Sequence, residues 1–317
     1  MKRLRWLEGR RKGVGGSDVA PILGVSKWRS AWDVWADKTG RIPLDDSEET
    51  KPQKRGRLLE DAVARWYAED SGFLVRLSAV ETLTGAEPWQ LASPDRMAQD
   101  GAHTFGLECK TARDDDGWGE SGAVVGARDA GTVMPIAYAL QCCWYMEICN
   151  TDRWDVAVLV MTTDDFRRYT ITRDEEFGAA LLAKVGAWWT EHVCARVEPP
   201  IEGTPTAEAW LLSKYPTDRG ELREATDEEA GLIRELNDAS EAGDAAEKRL
   251  KDAKARIKQA IGDDRGLTHE DCGRVTWTTQ AGSSRLDSKR LRAEKPEIAD
   301  QYTRQGTPIR VLRRKSK

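Results

Sequence analysis

The sequence predicts an α/β protein with a mixed central sheet flanked by helices, followed by a C-terminal extension made of a long helix and a β-hairpin. Segments with helical spacing of apolar residues alternate with segments of strand composition over the first 200 or so of the 317 residues. A heptad repeat dominates the remainder, and the sequence Glu198-Pro199-Pro200 separates the two regions. We therefore expect one domain over residues 1–200 and an extension over residues 201–317.

The helices of the first region are predicted from capping residues and apolar spacing. Ser17 is a natural N-cap for a short apolar turn, and Ser30 is expected to cap a helix that ends at Gly40. A third helix is expected over residues 56–69, with Glu60 at the edge of its apolar face. Later helices are expected over residues 135–149 and 174–192. The tryptophans expected on core faces are Trp32, Trp35, Trp66, Trp144 and Trp188.

Strand signals lie between these helices. The expected strands are residues 73–80, 89–92, 104–110, 154–162 and 167–172. Gln99-Asp100-Gly101 is typical of a hairpin turn. Residues 113–131 are rich in Gly and Asp and are expected to form a long loop.

The C-terminal region is predicted from a capping box at Thr226 and Glu229 and from nine heptad positions between residues 232 and 260. Five of these nine positions are Ala or Gly, which disfavours a strong free-standing zipper. A helix in a helical hairpin, or one packed on a partner, fits the pattern better. A short hairpin (residues 267–270 and 274–279) and a basic tail follow.

Charge is distributed unevenly along the chain. The net charge is −5, but residues 1–29 hold eight basic and two acidic residues, and residues 285–317 hold eleven and four. Basic ends permit phosphate contacts. The same basic residues are explained equally well as solvated side chains at the chain termini. There is no apolar run of membrane-spanning length, no secretory signal pattern and no CxxC pair among the six cysteines. We expect a cytoplasmic protein with reduced thiols and without a zinc site.

Three residues form a candidate catalytic group. Asp95 follows Pro94 at a strand end, and Glu108 and Lys110 lie two apart on the next strand, so their side chains share one face of the sheet. Two carboxylates can hold Mg²⁺ beside a scissile phosphate. The lysine can position or deprotonate a water molecule, or stabilise the negative charge that develops during the reaction. Taken alone, this pattern also fits an exposed strand with ordinary charged residues.

Several motifs in order make the sequence resemble the YqaJ-type viral recombinases, relatives of lambda exonuclease in the PD-(D/E)xK nuclease superfamily. The resemblance covers about residues 6–192. The matching residues are Trp6 with Arg10, Gly15-Gly16-Ser17-Asp18, Gly56-Arg57-Leu58-Leu59-Glu60, Ser93-Pro94-Asp95, Leu107-Glu108-Cys109-Lys110, and Tyr138 with Gln141. The resemblance implies a restriction-endonuclease-like core.

The resemblance also implies roles for individual residues. Asp95, Glu108 and the backbone carbonyl of Cys109 are implied as ligands of Mg²⁺, for which Mn²⁺ can substitute, and Lys110 is implied as the catalytic lysine. The remaining implied catalytic residues are Glu60, as the upstream acidic residue, and Gln141, on the following helix. Cys109 departs from the family pattern, which often has an apolar residue at that position. We expect its side chain to point away from the metal.

A second group of residues is implied to bind the DNA end. Arg10, Ser17 and Ser93 match positions that hold a terminal 5′-phosphate in lambda-type enzymes. Without the resemblance, Ser17 is equally well explained as a plain N-cap, and Arg10 and Gln141 as ordinary polar residues. Trp28 lies in a turn between Lys27 and Arg29 and is a candidate for stacking on a DNA base.

The function expected from the sequence is a Mg²⁺-dependent double-stranded DNA exonuclease of phage or prophage origin. The resemblance implies degradation of the 5′ strand, a 3′ single-stranded product for homologous recombination, a ring-shaped trimer and a single-strand annealing protein as partner. Two alternatives remain open: an endonuclease or 3′-directed nuclease on the same fold, and a non-catalytic DNA-binding or assembly protein.

Overall fold

The computed structural model describes residues 2–44, 49–78, 82–101, 103–306 and 310–314. The chain divides into two compact units, Met1–Leu211 and Leu212–Lys317. The first unit therefore extends beyond residue 200, where the sequence placed the boundary. Ala207 is buried in the core of the first unit, and the ring of Trp210 packs edge-on against Trp32, with ring centroids 5.1 Å apart.

The first unit is built around a six-stranded mixed sheet. In chain order its strands and those of a small two-stranded sheet are β1 (Leu74–Arg76), β2 (Leu83–Thr84), β3 (Leu91–Ala92), β4 (Arg96–Asp100), β5 (His103–Ala112), β6 (Val124–Gly126), β7 (Arg153–Val160) and β8 (Asp165–Thr172). The central sheet has the order β1-β4-β5-β7-β8-β6, and β2 pairs with β3. β5 pairs with β7, and β6 with β8, in parallel, whereas the other neighbours are antiparallel. The predicted mixed sheet is confirmed.

Helices cover both faces of this sheet. The helices up to residue 214 are α1 (Lys2–Arg11), α2 (Gly16–Ile22), α3 (Ala31–Lys38), α4 (Lys51–Ser71), α5 (Ile136–Cys149), α6 (Glu175–Trp188) and α7 (Pro205–Lys214). Helix α4 packs its buried face, Val63 and Tyr67, against one side of the sheet. The larger core lies on the opposite side and includes residues of α2, α3, α5 and α6. The predicted arrangement of helices around a mixed sheet is confirmed.

Strand β5 places the candidate catalytic residues by simple alternation. Leu107 and Cys109 are buried in the core beneath α4. Glu108 and Lys110 therefore face the other way, toward α5. The long β5 is supported on both edges, by β4 and by β7, which fixes the position of this alternating row.

Several local predictions are corrected by the structure. Ser17 is not the N-cap of α2, because Gly15 occupies that position and Asp18 accepts a hydrogen bond from its backbone N–H at 3.1 Å. Helix α4 begins earlier than expected, since Thr50 accepts a hydrogen bond from the backbone N–H of Gln53. The strand expected over 73–80 ends at Arg76, and residues 79 and 80 lie outside the described residues.

Two further expectations differ from the structure. The loop expected over residues 113–131 contains the edge strand β6, which is short and pairs only with the distant β8. Trp66 is not a core residue: it is 44% exposed and its ring stacks on Phe166 with centroids 4.7 Å apart. The other four tryptophans assigned to the core are buried: Trp32, Trp35, Trp144 and Trp188.

The second unit contains the predicted long helix and hairpin. Its elements are α8 (Asp227–Ile261), β9 (Gly266–His269), β10 (Gly273–Thr276), α9 (Ser288–Glu294) and α10 (Pro296–Gln301). Thr226 and Glu229 form the expected capping box of α8, and Gly262 follows its last residue. Strands β9 and β10 form the antiparallel hairpin. The predicted C-terminal helix and hairpin are confirmed, whereas α9 and α10 were not expected.

All six cysteines are free thiols. In the described segments of the chain, no helix has both the length and the apolar character needed to cross a membrane.

Candidate active site

Asp95 lies immediately before β4 and close to Glu108. The β4–β5 register pairs Arg96 with Leu107, so Asp95, one residue earlier, lies opposite Glu108. The Asp95 carboxylate accepts a hydrogen bond from the backbone N–H of Cys109 at 2.8 Å. Burial and the charge of Glu108 raise the pKa of Asp95 from 3.8 to about 7, against the opposing effect of Lys110. The two carboxyl groups are therefore close enough for the charge of Glu108 to disfavour ionisation of Asp95.

Glu108 is the central carboxylate of the group. It is 1% exposed, and its Oε1 atom accepts hydrogen bonds from Lys110 Nζ and, at 2.6 Å, from Gln141 Nε2. Gln141 lies on α5, the helix on which the family resemblance places it, and its side chain is buried. The structure thus brings Asp95, Glu108, Lys110 and Gln141 together.

Lys110 is held between acidic and aromatic groups. Burial by itself lowers the pKa of this lysine, but the charges of Glu108 and Asp95 outweigh it and raise the pKa above the ordinary value of 10.5. Its Nζ atom also lies 4.8 Å from the ring centroid of Tyr138, a favourable cation–π distance. Lys110 is therefore a positively charged group at neutral pH and is suited to neutralising negative charge.

Glu60 approaches the same region from α4 and is bound by an arginine. Arg96 Nη1 lies 2.5 Å from Glu60 Oε1 and 2.5 Å from the backbone oxygen of Asp95, while its Nη2 atom lies 2.5 Å from Asp61. Burial, followed by the charge of Asp95, raises the pKa of Glu60. Sequence reasoning assigned no role to Arg96. In the sequence, Arg96 could be recognised only as a basic residue directly after Asp95. The structure shows that it is buried in β4.

Cys109 contributes its backbone to the site and its side chain to the core. Its N–H group binds Asp95, whereas its thiol is buried with Val63 and Tyr67 under α4. The side chain therefore points away from the carboxylates, as expected.

The donor set fits a divalent cation, although it is small. In the parts of the chain that the structure describes, no group of three or more His, Cys, Asp or Glu side chains is arranged to hold a metal ion. Two carboxylates nevertheless converge, and Glu108 Oε2 is buried without a hydrogen-bond partner. A buried carboxylate oxygen without a partner is costly, and a hard cation is the ligand that best satisfies it. Asp95, Glu108 and the Cys109 carbonyl are the groups that would hold such an ion.

Two members of the second predicted group, Arg10 and Ser17, lie on α1 and α2. Arg10 Nη2 donates a hydrogen bond to Ser17 Oγ at 2.7 Å, and its guanidinium lies 5.0 Å from the Trp6 ring centroid. Ser17 lies in the first turn of α2 and is exposed. The structure therefore brings the Arg10 guanidinium and the exposed Ser17 hydroxyl together. Ser93, by contrast, exchanges a hydrogen bond with Thr82, with oxygens 3.0 Å apart.

Beneath this pair lies a buried ion cluster that the sequence did not reveal. Asp18 is fully buried, and Lys38 Nζ lies 2.8 Å from one of its oxygens. Arg29 lies 2.9 Å and Arg10 lies 3.8 Å from the other oxygen. Burial tends to raise the pKa of Asp18, but Lys38, Arg29 and Arg10 hold it far below its usual value of 3.8. Lys38 also donates to the Arg10 backbone oxygen at 2.8 Å, so the cluster fixes the position of Arg10.

We expect Asp18→Asn to destabilise the first unit by about 3–5 kcal/mol at pH 7, because the buried Lys38 loses its anion. Chemical denaturation measures this change. Asp70→Asn is the matched control, since Asp70 pairs with Arg168 at the surface of the first unit and its loss should cost about 1 kcal/mol or less. Because the pKa of Asp18 is depressed in the folded state, its contribution is full above pH 3.8 and declines at lower pH. A cost equal to that of Asp70→Asn would contradict the assignment.

Trp28 is strongly exposed in a turn tied to the same cluster. Its side chain is 83% exposed, and Ser26 Oγ accepts hydrogen bonds from the backbone N–H groups of Trp28 and Arg29, both at 3.2 Å. Arg29 in turn binds Asp18 at 2.9 Å. The turn is therefore anchored to the structure that carries Arg10.

Comparison with known proteins finds a family similarity over the first part of the chain. Residues 5–152 match the model of the YqaJ-like viral recombinase domain, and this confirms the resemblance found in the sequence motifs. The chain is also 27% identical over 312 residues to the uncharacterized protein YqaJ of Bacillus subtilis (strain 168), covering 96% of this chain and 92% of that protein.

Similar structures have been solved for exonucleases. An alkaline exonuclease, LHK-Exo from Laribacter hongkongensis, superposes with a TM-score of 0.47 at 19% identity over 60% of this chain and 93% of that chain. A phage-related exonuclease from Haemophilus somnus 129PT gives a TM-score of 0.43 at 13% identity over 58% and 96%.

Proposed function

We propose that this chain is a divalent-metal-dependent DNA exonuclease that acts on duplex ends. The observation that carries the proposal is the convergence of Asp95, Glu108 and Lys110, together with the buried Glu108 Oε2 atom that has no hydrogen-bond partner. Clustered carboxylates beside a cation are the arrangement that metal-assisted phosphodiester hydrolysis requires. The match of residues 5–152 to a viral recombinase domain supports DNA as the substrate.

Each residue has a defined task in this proposal. A divalent ion held by Asp95, Glu108 and the Cys109 carbonyl, Mg²⁺ or in its place Mn²⁺, would polarise the scissile phosphate and lower the pKa of a water molecule. Lys110 neutralises negative charge that develops on the phosphate, since its own pKa is raised. Gln141 orients Glu108 through its 2.6 Å hydrogen bond.

Glu60 is the fourth acidic group of the proposed site. Arg96 holds its carboxylate beside the Asp95 backbone, with both contacts at 2.5 Å. Glu60 therefore adds negative potential at the edge of the site, where a cation or its water shell would lie.

The proposed direction of digestion is from the 5′ end, which leaves a 3′ single strand. Arg10 and Ser17 offer a guanidinium and a hydroxyl at an accessible position, a pairing suited to a terminal phosphate. Ser93, two residues before Asp95, is the third proposed phosphate contact. Trp28 is proposed to stack on a DNA base, because an exposed aromatic ring beside Lys27 and Arg29 matches the usual platform for unpaired bases.

The trimer and the single-strand annealing protein implied by the family resemblance stay predictions. A function in recombination requires a protein that uses the 3′ strand, and the annealing protein is the partner proposed for it. We propose that the protein acts in the cytoplasm of a bacterial host as a phage or prophage product.

Digestion of labelled duplexes tests the proposed activity. In Mg²⁺, a linear duplex should release a 5′ label as mononucleotide early and retain a 3′ label, whereas a closed circular duplex should stay intact. EDTA should stop the reaction. Cleavage of the closed circle would show an endonuclease, early release of the 3′ label would reverse the polarity, and no cleavage of any duplex would favour a non-catalytic DNA-binding protein.

The phosphate clamp makes a separate prediction. A 5′-phosphorylated duplex should be degraded faster than a 5′-hydroxyl duplex, and Arg10→Ala should remove most of that difference, because the guanidinium supplies the charge that holds the phosphate. Initial rates on the two substrates measure the ratio. Arg5→Ala, which removes an exposed arginine from the same helix, should leave the ratio unchanged. Equal rates of the unmodified enzyme on the 5′-phosphorylated and 5′-hydroxyl duplexes would exclude the phosphate clamp.

A further inference from the structure

Helix α8 presents an unusually exposed apolar surface. It has 35 residues and is about 50 Å long, and Ile261 alone among its residues, all of them described, is buried. Leu232, Leu236 and Leu250 are 62%, 41% and 53% exposed. Single exposed leucines are ordinary, but a regular row of them on one helix marks an interaction surface.

These leucines belong to one continuous row, which we call the α8 seam. The seam consists of the alternating a and d heptad positions Leu232, Leu236, Ala239, Gly243, Ala246, Leu250, Ala253, Ile257 and Ala260. Its central positions, from Ala239 to Ala246, are small, and leucines flank them on both sides. Small central residues let a second helix approach closely where the two axes cross.

The charges along α8 are polarised. Residues 227–244 hold seven acidic residues and one basic residue, whereas residues 245–261 hold two acidic and six basic residues. Such a gradient stabilises the helix itself through its macrodipole. It also makes the helix complementary to a second copy of itself that runs in the opposite direction.

The residues that flank the seam carry this complementarity most clearly. The g positions of the heptads are Glu228, Glu235, Ala242, Arg249 and Arg256. The four charged members are exposed, and no ion pair joins any of them to another residue in the described parts of the chain. Residues at g positions set partner choice and orientation in coiled coils.

We propose that the α8 seam is a self-association surface that pairs two copies of this chain as an antiparallel coiled coil. In that register Glu228 lies opposite Arg256 of the second copy, and Glu235 lies opposite its Arg249. The twofold axis repeats both contacts, so four ion pairs flank the seam. Ala242, at the centre, meets its own counterpart.

In the same register, the apolar residues of the two seams pack against each other. Leu232 packs on Leu250 of the second copy, Leu236 packs on its Ala246, and Ala239 meets its Gly243. Large residues thus meet at both ends of the overlap, and small residues meet at the crossing point.

A parallel pair lacks these contacts. There each g residue lies near the following e residue of the other copy, which places Arg249 beside Lys254 and Glu235 beside Ser240. No attractive ion pair results, and the acidic halves of the two helices lie side by side. The antiparallel orientation is therefore favoured.

Arg314 contacts α8 away from the seam. It lies 3.4 Å from the backbone oxygen of Asn237 and 3.8 Å from Asp244. Both residues occupy b positions, away from the a and d row. These Arg314 contacts therefore do not compete with a second copy of α8.

Charge reversal in the full-length chain tests the proposal, with light scattering as the measure of mass. Glu228→Arg with Glu235→Arg makes all four charged g positions basic, and Arg249→Glu with Arg256→Glu makes them all acidic. Each double variant should have half the mass of the unmodified chain, because attraction becomes repulsion at every flanking contact. This holds whether the first unit is monomeric or forms the trimer implied by the resemblance.

Two rescue experiments and one control complete the test. Mixing the two double variants should restore the mass of the unmodified chain, and so should the fourfold variant that exchanges all four charges. Asp227→Arg with Glu241→Arg changes the charge equally on the outer face of α8 and should leave the mass unchanged. Double variants that keep the unmodified mass, or a mixture that fails to associate, would overturn the proposal and leave the seam to a different partner.

Discussion

Asp95→Asn and Glu108→Gln should each lower the rate of duplex digestion in Mg²⁺ by roughly a thousandfold or more, because each removes a charged metal ligand from the transition state. Single-turnover assays on a linear 5′-phosphorylated duplex measure the loss, and a DNA-binding assay should show little change. Asp116→Asn is the control, since Asp116 is an exposed carboxylate in the loop after β5. Near-normal turnover by either variant would place the active centre elsewhere.

Asp95→Asn should also change how the stability of the metal-free protein depends on pH. The raised pKa of Asp95 means that the folded, metal-free protein binds more protons than the unfolded chain between about pH 4 and pH 7. Metal-free stability should therefore fall as the pH rises through this window, and Asp95→Asn should remove much of that slope. Thermal melts at several pH values, in the presence of EDTA, give the comparison. An inactive Asp95→Asn protein that is also less stable at pH 7 would indicate a structural role instead.

Lys110→Met should lower the single-turnover rate by roughly a hundredfold to a thousandfold while DNA affinity changes little, because a partly buried cation at the site acts on charge that develops during the reaction. Methionine preserves the apolar stem, so the loss isolates the ammonium group. Lys54→Met, on the exposed first turns of α4, is the control. A Lys110 variant with an unchanged single-turnover rate and weak DNA binding would assign the lysine to substrate binding.

The central part of the site could be predicted from local sequence because its geometry is local. Glu108 and Lys110 are two apart on one strand, and a short hairpin returns the chain so that Asp95 lies opposite Glu108. Strand alternation also predicted that the Cys109 side chain leaves the site. These relations depend on period-two geometry and a tight turn, both of which the sequence displays.

The remaining parts depend on contacts that no local pattern encodes. The Asp18–Lys38 ion pair joins α2 to α3, and nothing in the spacing of charged residues distinguishes it from a solvated pair. The contact of Arg96 with Glu60 joins β4 to α4. Strand β6 was expected to be a loop because it is short and its partner, β8, lies far along the chain.

Metal binding to the apoprotein tests the central claim most directly. Calorimetric titration of Mn²⁺ into the metal-free protein should detect binding that Asp95→Asn and Glu108→Gln both abolish and that Asp116→Asn preserves. Affinity should increase from pH 6 to pH 8, since a cation must displace the proton that the raised pKa of Asp95 retains. An apoprotein that binds no divalent cation, or variants that bind it as tightly as the unmodified chain, would contradict the proposed metal centre.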